Sequence, residues 1–170
     1  MRAADAGHDD AVALMLACKH PSLEIHGVST VACNQSVDKT SANALALLHA
    51  IGHEQVPVYQ GQAKPLLRGN VHCEEIHGDT GLDGPGGGRL FPDSPHGPEP
   101  EKAVLAIAEK IRCLEFDDQL PLQLICTGSL TNTALLLILF PEFANPKYVH
   151  VTAMGGALGI GNTGEATLTA

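Results

Sequence analysis

Apolar residues recur at helical spacing in four stretches of the chain. In the first, Ala11, Leu14, Met15 and Cys18 fall at positions i, i+3, i+4 and i+7, which is one face of a helix. The other three predicted helical stretches contain Ala44, Leu47, Leu48 and Ile51; Val104, Ile107, Ala108 and Ile111; and Asn132 to Leu139. The sequence Pro21-Ser22 favours an end to the first helix, and Gly52 is suited to the end of the second.

Short apolar and β-branched runs lie between these helices. The predicted strands are Leu23 to Ala32, Pro57 to Tyr59, Leu120 to Cys126 and Tyr148 to Ala153. Strands that alternate with helices predict an α/β fold, an open and mostly parallel sheet with helices on both faces. Ligands of such folds bind at the carboxyl ends of the strands, so the residues that follow each strand are the candidates for chemistry.

The segment 61–100 interrupts this alternation. It is rich in Gly and Pro, and the run Gly81 to Gly88 is too flexible to predict a regular element. A loop of this length is either functional or disordered. Neither an internal repeat nor a second domain is indicated, so we interpret residues 1–170 as one domain that contains this loop.

Charge and cysteine content narrow the function classes. The formal net charge is −9 and no basic run exists, which argues against a nucleic acid partner. The five cysteines are odd in number and show no C-x-x-C spacing, which is typical of reduced intracellular thiols. The longest apolar stretch, Ala134 to Phe140, is too short to cross a membrane. Because Met1 to Asp10 is short and polar rather than a signal peptide, we expect a cytoplasmic protein with no membrane partner.

A cluster of acidic residues, Asp5, Asp9 and Asp10, precedes the first helix. Carboxylates this close repel one another unless positive charge lies between them. A hard cation such as Ca²⁺ prefers oxygen ligands and would supply that charge. Ordinary capping of the helix N-terminus is the alternative explanation for Asp9 and Asp10.

The same acidic stretch resembles the D-x-D-x-x-x-D-D signature of the inosine–uridine-preferring nucleoside hydrolases, with Ala3 in place of the first Asp. Further segments resemble elements of that family in the same order along the chain. They are Val28 to Asn34, Val56 to Gly61, Lys64 to Leu66, His77 to Leu82, Thr127 to Asn132, and Met154 to Gly156 with Gly161-Asn162. The resemblance implies a Rossmann-like sheet and hydrolysis of the N-glycosidic bond of purine or pyrimidine ribonucleosides to ribose and free base, a step of nucleoside catabolism and salvage.

The resemblance also implies a calcium cofactor and its ligands. Asp5 would bind calcium and act as the catalytic general base on the attacking water. Asp10 would bind calcium through its carboxylate, and Thr127 would bind it through its backbone carbonyl. All of these ligands are oxygens, the atoms that Ca²⁺ prefers.

Contacts with the ribonucleoside are implied for five further residues. Asp9 and Asn34 would contact the ribose hydroxyls, Met154 and Asn162 would line the ribose pocket, and His77 would lie near the base. Read without the family, three of them have a plainer interpretation: His77 as a solvated loop histidine, Asn34 as an Asx-turn residue and Met154 as a core methionine. Likewise, Thr131-Asn132 would cap the following helix, and His8 would simply be exposed.

Departures from the family pattern lead to a second hypothesis. The residues Met1 to Ala4 look too short to supply the family's first strand, Ala3 removes one carboxylate, and no later Asp ligand or His follows before Ala170. We therefore expect a domain that is incomplete at both ends, a weakened calcium site and little or no turnover. The alternative to an active hydrolase is a truncated, non-catalytic fragment that binds a sibling subunit through an open sheet edge, for instance in a homo-oligomer.

Overall fold

A computed structural model describes residues 2–4, 7–67, 69, 77–116 and 120–155 of the chain. The strands are β1 (Arg2–Ala4), β2 (Val28–Thr30), β3 (Val58–Gln60), β4 (Leu122–Cys126) and β5 (Val149–Ala153). The helices are α1 (His8–Lys19), α2 (Val37–Ala50), α3 (Ala103–Phe116) and α4 (Thr131–Leu139), and a short 3₁₀ helix, η1 (Pro141–Ala144), follows α4.

The strands form one parallel sheet in the order β3-β2-β1-β4-β5. Helices connect successive strands, because a parallel pair needs a long crossover. This arrangement confirms the predicted α/β fold. The order reverses at β1, since the chain builds outward first towards β3 and later towards β5, and such a reversal is where α/β sheets bind ligands.

The strand at the start of the sequence corrects one expectation. Residues Arg2–Ala4 form β1, the middle strand of the sheet, so the prediction that Met1 to Ala4 could not supply a strand was wrong. Ala3 lies opposite Ser29 of β2 and Cys126 of β4. Pairing on both sides stabilises even a three-residue strand, and it leaves no exposed edge where the neighbouring strands meet β1.

Most other predicted elements are confirmed, with changes at their ends. The strand predicted over Leu23 to Ala32 is shorter, because only Val28–Thr30 pairs with neighbouring strands. Helix α2 ends at Ala50, and Gly52 has a positive φ of 72°, as expected of a glycine after a helix.

Two hydrophobic clusters cover opposite faces of the sheet. The register places Arg2 beside Val28 and Ala3 beside Cys126, so Val28 and Cys126 point to opposite faces. On the Val28 face, α1 and α2 pack with Leu14, Leu47 and Leu48 buried in the cluster. On the Cys126 face, α3 and α4 pack around the buried residues Ile107, Ile111, Leu124 and Leu136. These layers hold the carboxyl ends of β1, β2 and β4 together at one edge.

No helix in the described ranges is both long and apolar enough to pass through a membrane. Within the described part of the Gly/Pro-rich segment, regular pairing is confined to isolated bridges, Asp83 with Arg89 and Glu99 with Tyr59. Glu99 also donates its backbone N–H to the Val58 carbonyl at 2.8 Å, which returns the segment to the edge of the sheet before α3 begins.

Candidate functional site

Asp10 and Thr127 meet where α1 begins and β4 ends. The hydroxyl of Thr127 donates a hydrogen bond to Oδ1 of Asp10, although the two residues are 117 positions apart. Asp10 is only 3% exposed. The structure therefore brings together Asp10 and Thr127, two residues for which the family resemblance implies a shared calcium ion.

The second carboxylate oxygen of Asp10 faces the start of α1. The backbone N–H of Gly7 donates to Oδ2 of Asp10 at 3.3 Å, and Gly7 is the N-cap residue of the helix. This contact is the capping interaction that the sequence left as an alternative. Capping and a site role are compatible, because the same carboxylate also contacts the Thr127 turn.

Gly7 lies in close contact with two other candidate residues. A Cβ atom at this position would lie 3.1 Å from Cε1 of His77 and 3.3 Å from Oδ1 of Asp9. Contacts this short are tighter than ordinary van der Waals contact, so a larger residue would push either side chain away. The glycine therefore lets the exposed Asp9 carboxylate and the His77 ring lie side by side at the helix N-terminus.

His77 is buried and paired with Asn34. Its Nε2 lies 3.1 Å from Nδ2 of Asn34. An amide nitrogen donates, so Nε2 accepts and the proton of the neutral ring is on Nδ1. That Nδ1 is buried and has no hydrogen-bond partner among the described residues. Because buried donors are nearly always satisfied, this nitrogen is suited to a ligand or a water.

The turn from His77 to Asp83, called here the His77 turn, is fixed by side chains from α2 and the loop before it. Gln35, Lys39 and Asn43 donate to backbone carbonyls of the turn, with Asn43 Nδ2 lying 2.8 Å from the carbonyl of Thr80. Within the turn, Asp83 accepts hydrogen bonds from the Thr80 hydroxyl and from backbone N–H groups. The Thr80 hydroxyl is the main cause of a lowered pKa of Asp83, so this carboxylate stays ionised.

The remaining predicted residues are less fully described. Met154 follows β5, its side chain is 47% exposed, and its backbone N–H donates to the Cys126 carbonyl at 2.8 Å, beside Thr127. Asp5 and Asn162 lie outside the described residues. Among those that are described, no group of three or more His, Cys, Asp or Glu side chains is placed to hold a metal ion.

A family model described as inosine-uridine preferring nucleoside hydrolase matches residues 3–169. The chain belongs to this nucleoside hydrolase family. The match runs from β1 past the end of β5, so it includes every element that contributes to the site.

Curated relatives of similar sequence are named as ribonucleoside hydrolases. The nucleoside hydrolase chain is 43% identical over 158 residues to the pyrimidine-specific ribonucleoside hydrolase RihA of Shewanella baltica, a match that covers 93% of this chain and 47% of the relative. It is 39% identical over 158 residues to the RihA of Salmonella schwarzengrund, with 93% and 48% covered. The chain thus spans about half the length of these relatives.

Solved structures agree with the fold. The purine-preferring ribonucleoside hydrolase of Gardnerella vaginalis superposes with a TM-score of 0.82 at 30% identity, covering 97% of this chain and 51% of the other. A plant nucleoside hydrolase superposes with a TM-score of 0.78 at 31% identity, covering 92% and 47%. Both of these nucleoside hydrolases therefore share the architecture of this chain.

Two residues of the site were missed from the sequence. His8 is exposed, as expected, yet its Nε2 lies 2.9 Å from the Asp83 carbonyl and its ring stacks on His77. Asn132 is fully buried and does not cap α4, contrary to the expectation, since its side chain bonds to the Thr30 carbonyl at 2.8 Å and to the Gln62 N–H at 2.9 Å. An asparagine on a predicted apolar helix face was the one signal that could have revealed this role.

Proposed function

We propose that this chain carries the site at which a nucleoside hydrolase cleaves the N-glycosidic bond of ribonucleosides to ribose and free base. The observation that carries the proposal is the contact between the buried Asp10 carboxylate and Thr127, which Gly7 links to the Asn34–His77 pair, since its N–H donates to Asp10 and it lies against the His77 ring. The Asp10–Thr127 contact joins the segments that follow β1 and β4, and the Asn34–His77 contact adds the segment that follows β2. In this proposal, carboxylate, hydroxyl, amide and imidazole groups would contact the substrate at the carboxyl edge of the sheet, where α/β folds bind ligands.

We further propose that the site holds Ca²⁺. The described donors fit a hard cation, because Asp10 offers a buried carboxylate and Thr127 offers a hydroxyl oxygen beside it. The Thr127 backbone carbonyl would be a further ligand. Asp5 would complete this part of the ligand set. When bound, a divalent cation supplies positive charge that orients a sugar diol and makes a nearby water more acidic.

The carboxylates suit the chemistry of glycosidic cleavage. Breaking the bond between ribose and base builds positive charge on the sugar ring. Asp9 is exposed at the start of α1, next to the His77 ring, and its negative charge would stabilise that developing charge. In the same proposal Asn34 binds the ribose hydroxyls, and Asp5 accepts the proton of the attacking water.

The other contacts divide between sugar and base. His77 would face the base, and its Nδ1–H, which no described residue accepts, would donate to a base oxygen or nitrogen. Met154 and Asn162 would line the ribose pocket. Residues 1–170 would act as one domain, with segment 61–100 contributing His77, and the reduced cysteines favour a cytosolic location.

Calcium binding and base release test this proposal directly. Ca²⁺ at about 100 times its dissociation constant should stabilise the chain by about 2.7 kcal/mol, visible as a higher melting temperature. Asp10→Asn should abolish that rise, whereas Asp38→Asn, which changes an exposed carboxylate in the first turn of α2, should keep it. Release of hypoxanthine from inosine or of uracil from uridine should depend on Ca²⁺ and on Asp10. Equal calcium responses in the two variants would contradict the site.

One observation favours a second candidate, a binding subunit without turnover. Ala3 in β1 lies at the position where the family signature has an Asp, so this chain offers one carboxylate fewer beside the site. A chain that binds Ca²⁺ and ribonucleosides but releases no base under the same conditions would support this candidate over the hydrolase.

A further inference from the structure

His8 connects α1 to the turn that carries His77. It is the first residue of α1, and its Nε2 lies 2.9 Å from the backbone carbonyl of Asp83. Its ring stacks on the His77 ring, with centroids 5.9 Å apart and planes inclined by 19°. A single side chain therefore contacts both ends of the His77 turn.

The direction of the hydrogen bond between His8 and Asp83 follows from its acceptor. A backbone carbonyl can only accept, so Nε2 of His8 carries the hydrogen of that bond. The stacked His8 ring and the close approach of Gly7 both restrict rotation of the His77 ring. Together with Asn34 at Nε2, these contacts fix which way His77 presents its unpartnered Nδ1.

The His77 turn is otherwise held mainly from the α2 side. Gln35, Lys39 and Asn43 donate to its carbonyls, and all three lie in or just before α2. Asp9 and Asp10, in contrast, lie in α1, one and two residues after His8. The distance between the carboxylates and His77 therefore depends on contacts that link α1 to the turn, and His8 makes both a hydrogen bond and a ring contact of this kind.

We propose that His8 is a positioning residue that sets His77 against the base of a bound ribonucleoside while leaving the ribose contacts unaffected. The inference rests on the proposed function and deepens it. His8 acts through His77 and the Asp83 carbonyl and does not itself touch the substrate. Its loss should therefore weaken recognition of the base half of a nucleoside, and it should leave the affinity for ribose alone unchanged.

Three substitutions separate the hydrogen bond from the ring contact. His8→Gln keeps an N–H that can reach the Asp83 carbonyl but removes the ring. His8→Phe keeps a ring over His77 but removes the N–H, and His8→Ala removes both. His20→Ala is the matched control, because His20 is an exposed histidine at the other end of the same helix.

Calorimetric titration of the full chain in Ca²⁺ with inosine, uridine and D-ribose tests the inference. His8→Ala should weaken nucleoside binding by about fivefold to tenfold, the factor that one lost hydrogen bond represents. Binding of D-ribose and of Ca²⁺ should match the unmutated chain. His8→Gln and His8→Phe should each recover part of the loss, and His20→Ala should show none.

Two contrary outcomes are distinguishable. If His8→Ala lowers the affinities for ribose and for nucleosides by the same factor, or changes neither affinity, the positioning role is overturned while the proposed function stands. If the unmutated chain binds neither ribose nor nucleosides, the proposed function fails and the role of His8 fails with it. A nuclear Overhauser contact between the His8 and His77 rings in histidine-labelled chain should be present, and its absence would overturn the inference whatever the binding results.

Discussion

At the scale of single residues, Asp10 shows how one side chain serves both the fold and the site. One oxygen accepts the Gly7 N–H at the start of α1, and the other accepts the Thr127 hydroxyl from the end of β4. The first contact lies within the start of α1, and the second joins α1 to the end of β4. A substitution of Asp10 therefore removes a helix-capping contact as well as the proposed calcium ligand, so the stability of the variant without Ca²⁺ has to be measured alongside its calcium response.

Asp83 should make stability depend on pH in the acidic range. Its folded pKa lies below the ordinary 3.8, mainly because of the Thr80 hydroxyl, so the folded state favours the ionised form. The resulting stabilisation is present above pH 3.8 and is lost as the pH falls below it. Near neutral pH, urea denaturation should give a larger free energy of unfolding for the unmutated chain than for Asp83→Asn. This difference should shrink below about pH 4.

The control for this titration is Asp93→Asn. Asp93 is exposed and lies in the same loop segment, where it pairs with Arg89 at 2.7 Å. If the difference between the chain and Asp83→Asn is the same at every pH, the hydrogen bonds of the His77 turn do not stabilise the ionised carboxylate.

Sequence motifs identified several residues that the structure brings together, and they missed others for a physical reason. Five candidate residues lie in short segments that match family motifs, and the structure places all of them at one edge of the sheet. They are Asp9, Asp10, Asn34, His77 and Thr127. Spacing along a helix gives the face on which a residue lies, but it does not name a partner far along the chain. His8 contacts a carbonyl 75 positions away, so the sequence predicted its exposure and not its contact.

At the scale of secondary-structure elements, the loop after β3 is joined tightly to α4. Gly61 donates its N–H to the Thr30 carbonyl at 3.1 Å, and the Asn132 side chain packs against both. A Cβ atom on Gly61 would lie 2.3 Å from the Asn132 side chain and from the Thr30 carbonyl oxygen. This close approach holds the ends of β2 and β3 against the start of α4, just after the Thr127 turn.

Gly61→Ala should therefore destabilise the chain. Overpacking of this kind costs about 1–3 kcal/mol, because the backbone or Asn132 has to shift. Gly97→Ala is the matched control, since nothing lies within 4 Å of a Cβ atom there. Urea denaturation followed by circular dichroism measures both changes, and equal midpoints for the two variants would show that the ends of β2 and β3 are not in contact with Asn132.

Helices were predicted more accurately than strands because their pattern is longer. Four apolar residues spread over about two turns predicted where each of α1, α2 and α3 lies along the chain. Strand β1 has three residues, too few for any alternation to show, and its stability comes from the backbones of β2 and β4 on either side. Pairing of that kind depends on neighbours that local sequence does not reveal.

At the scale of the whole molecule, the negative net charge disfavours binding to nucleic acids. Nineteen acidic residues outnumber ten basic ones, for a net charge of −9. We expect no binding of duplex DNA in a mobility-shift assay even at about 50 mM salt, where electrostatic binding is strong. A basic protein of similar size serves as the positive control. A shift that weakens as salt is added would contradict this prediction and would require a basic surface that the composition does not indicate.

The position of β1 also has a consequence for the order of events during biosynthesis. Ala3 pairs with Cys126, a residue that the ribosome adds more than 120 residues later. A nascent chain can pair β1, β2 and β3 as soon as Gln60 has emerged. The other edge of β1 then lacks its backbone hydrogen bonds until β4 has been synthesised. Contacts over such a separation form slowly, so this interval is the time when a chaperone would be of most use to the emerging polypeptide.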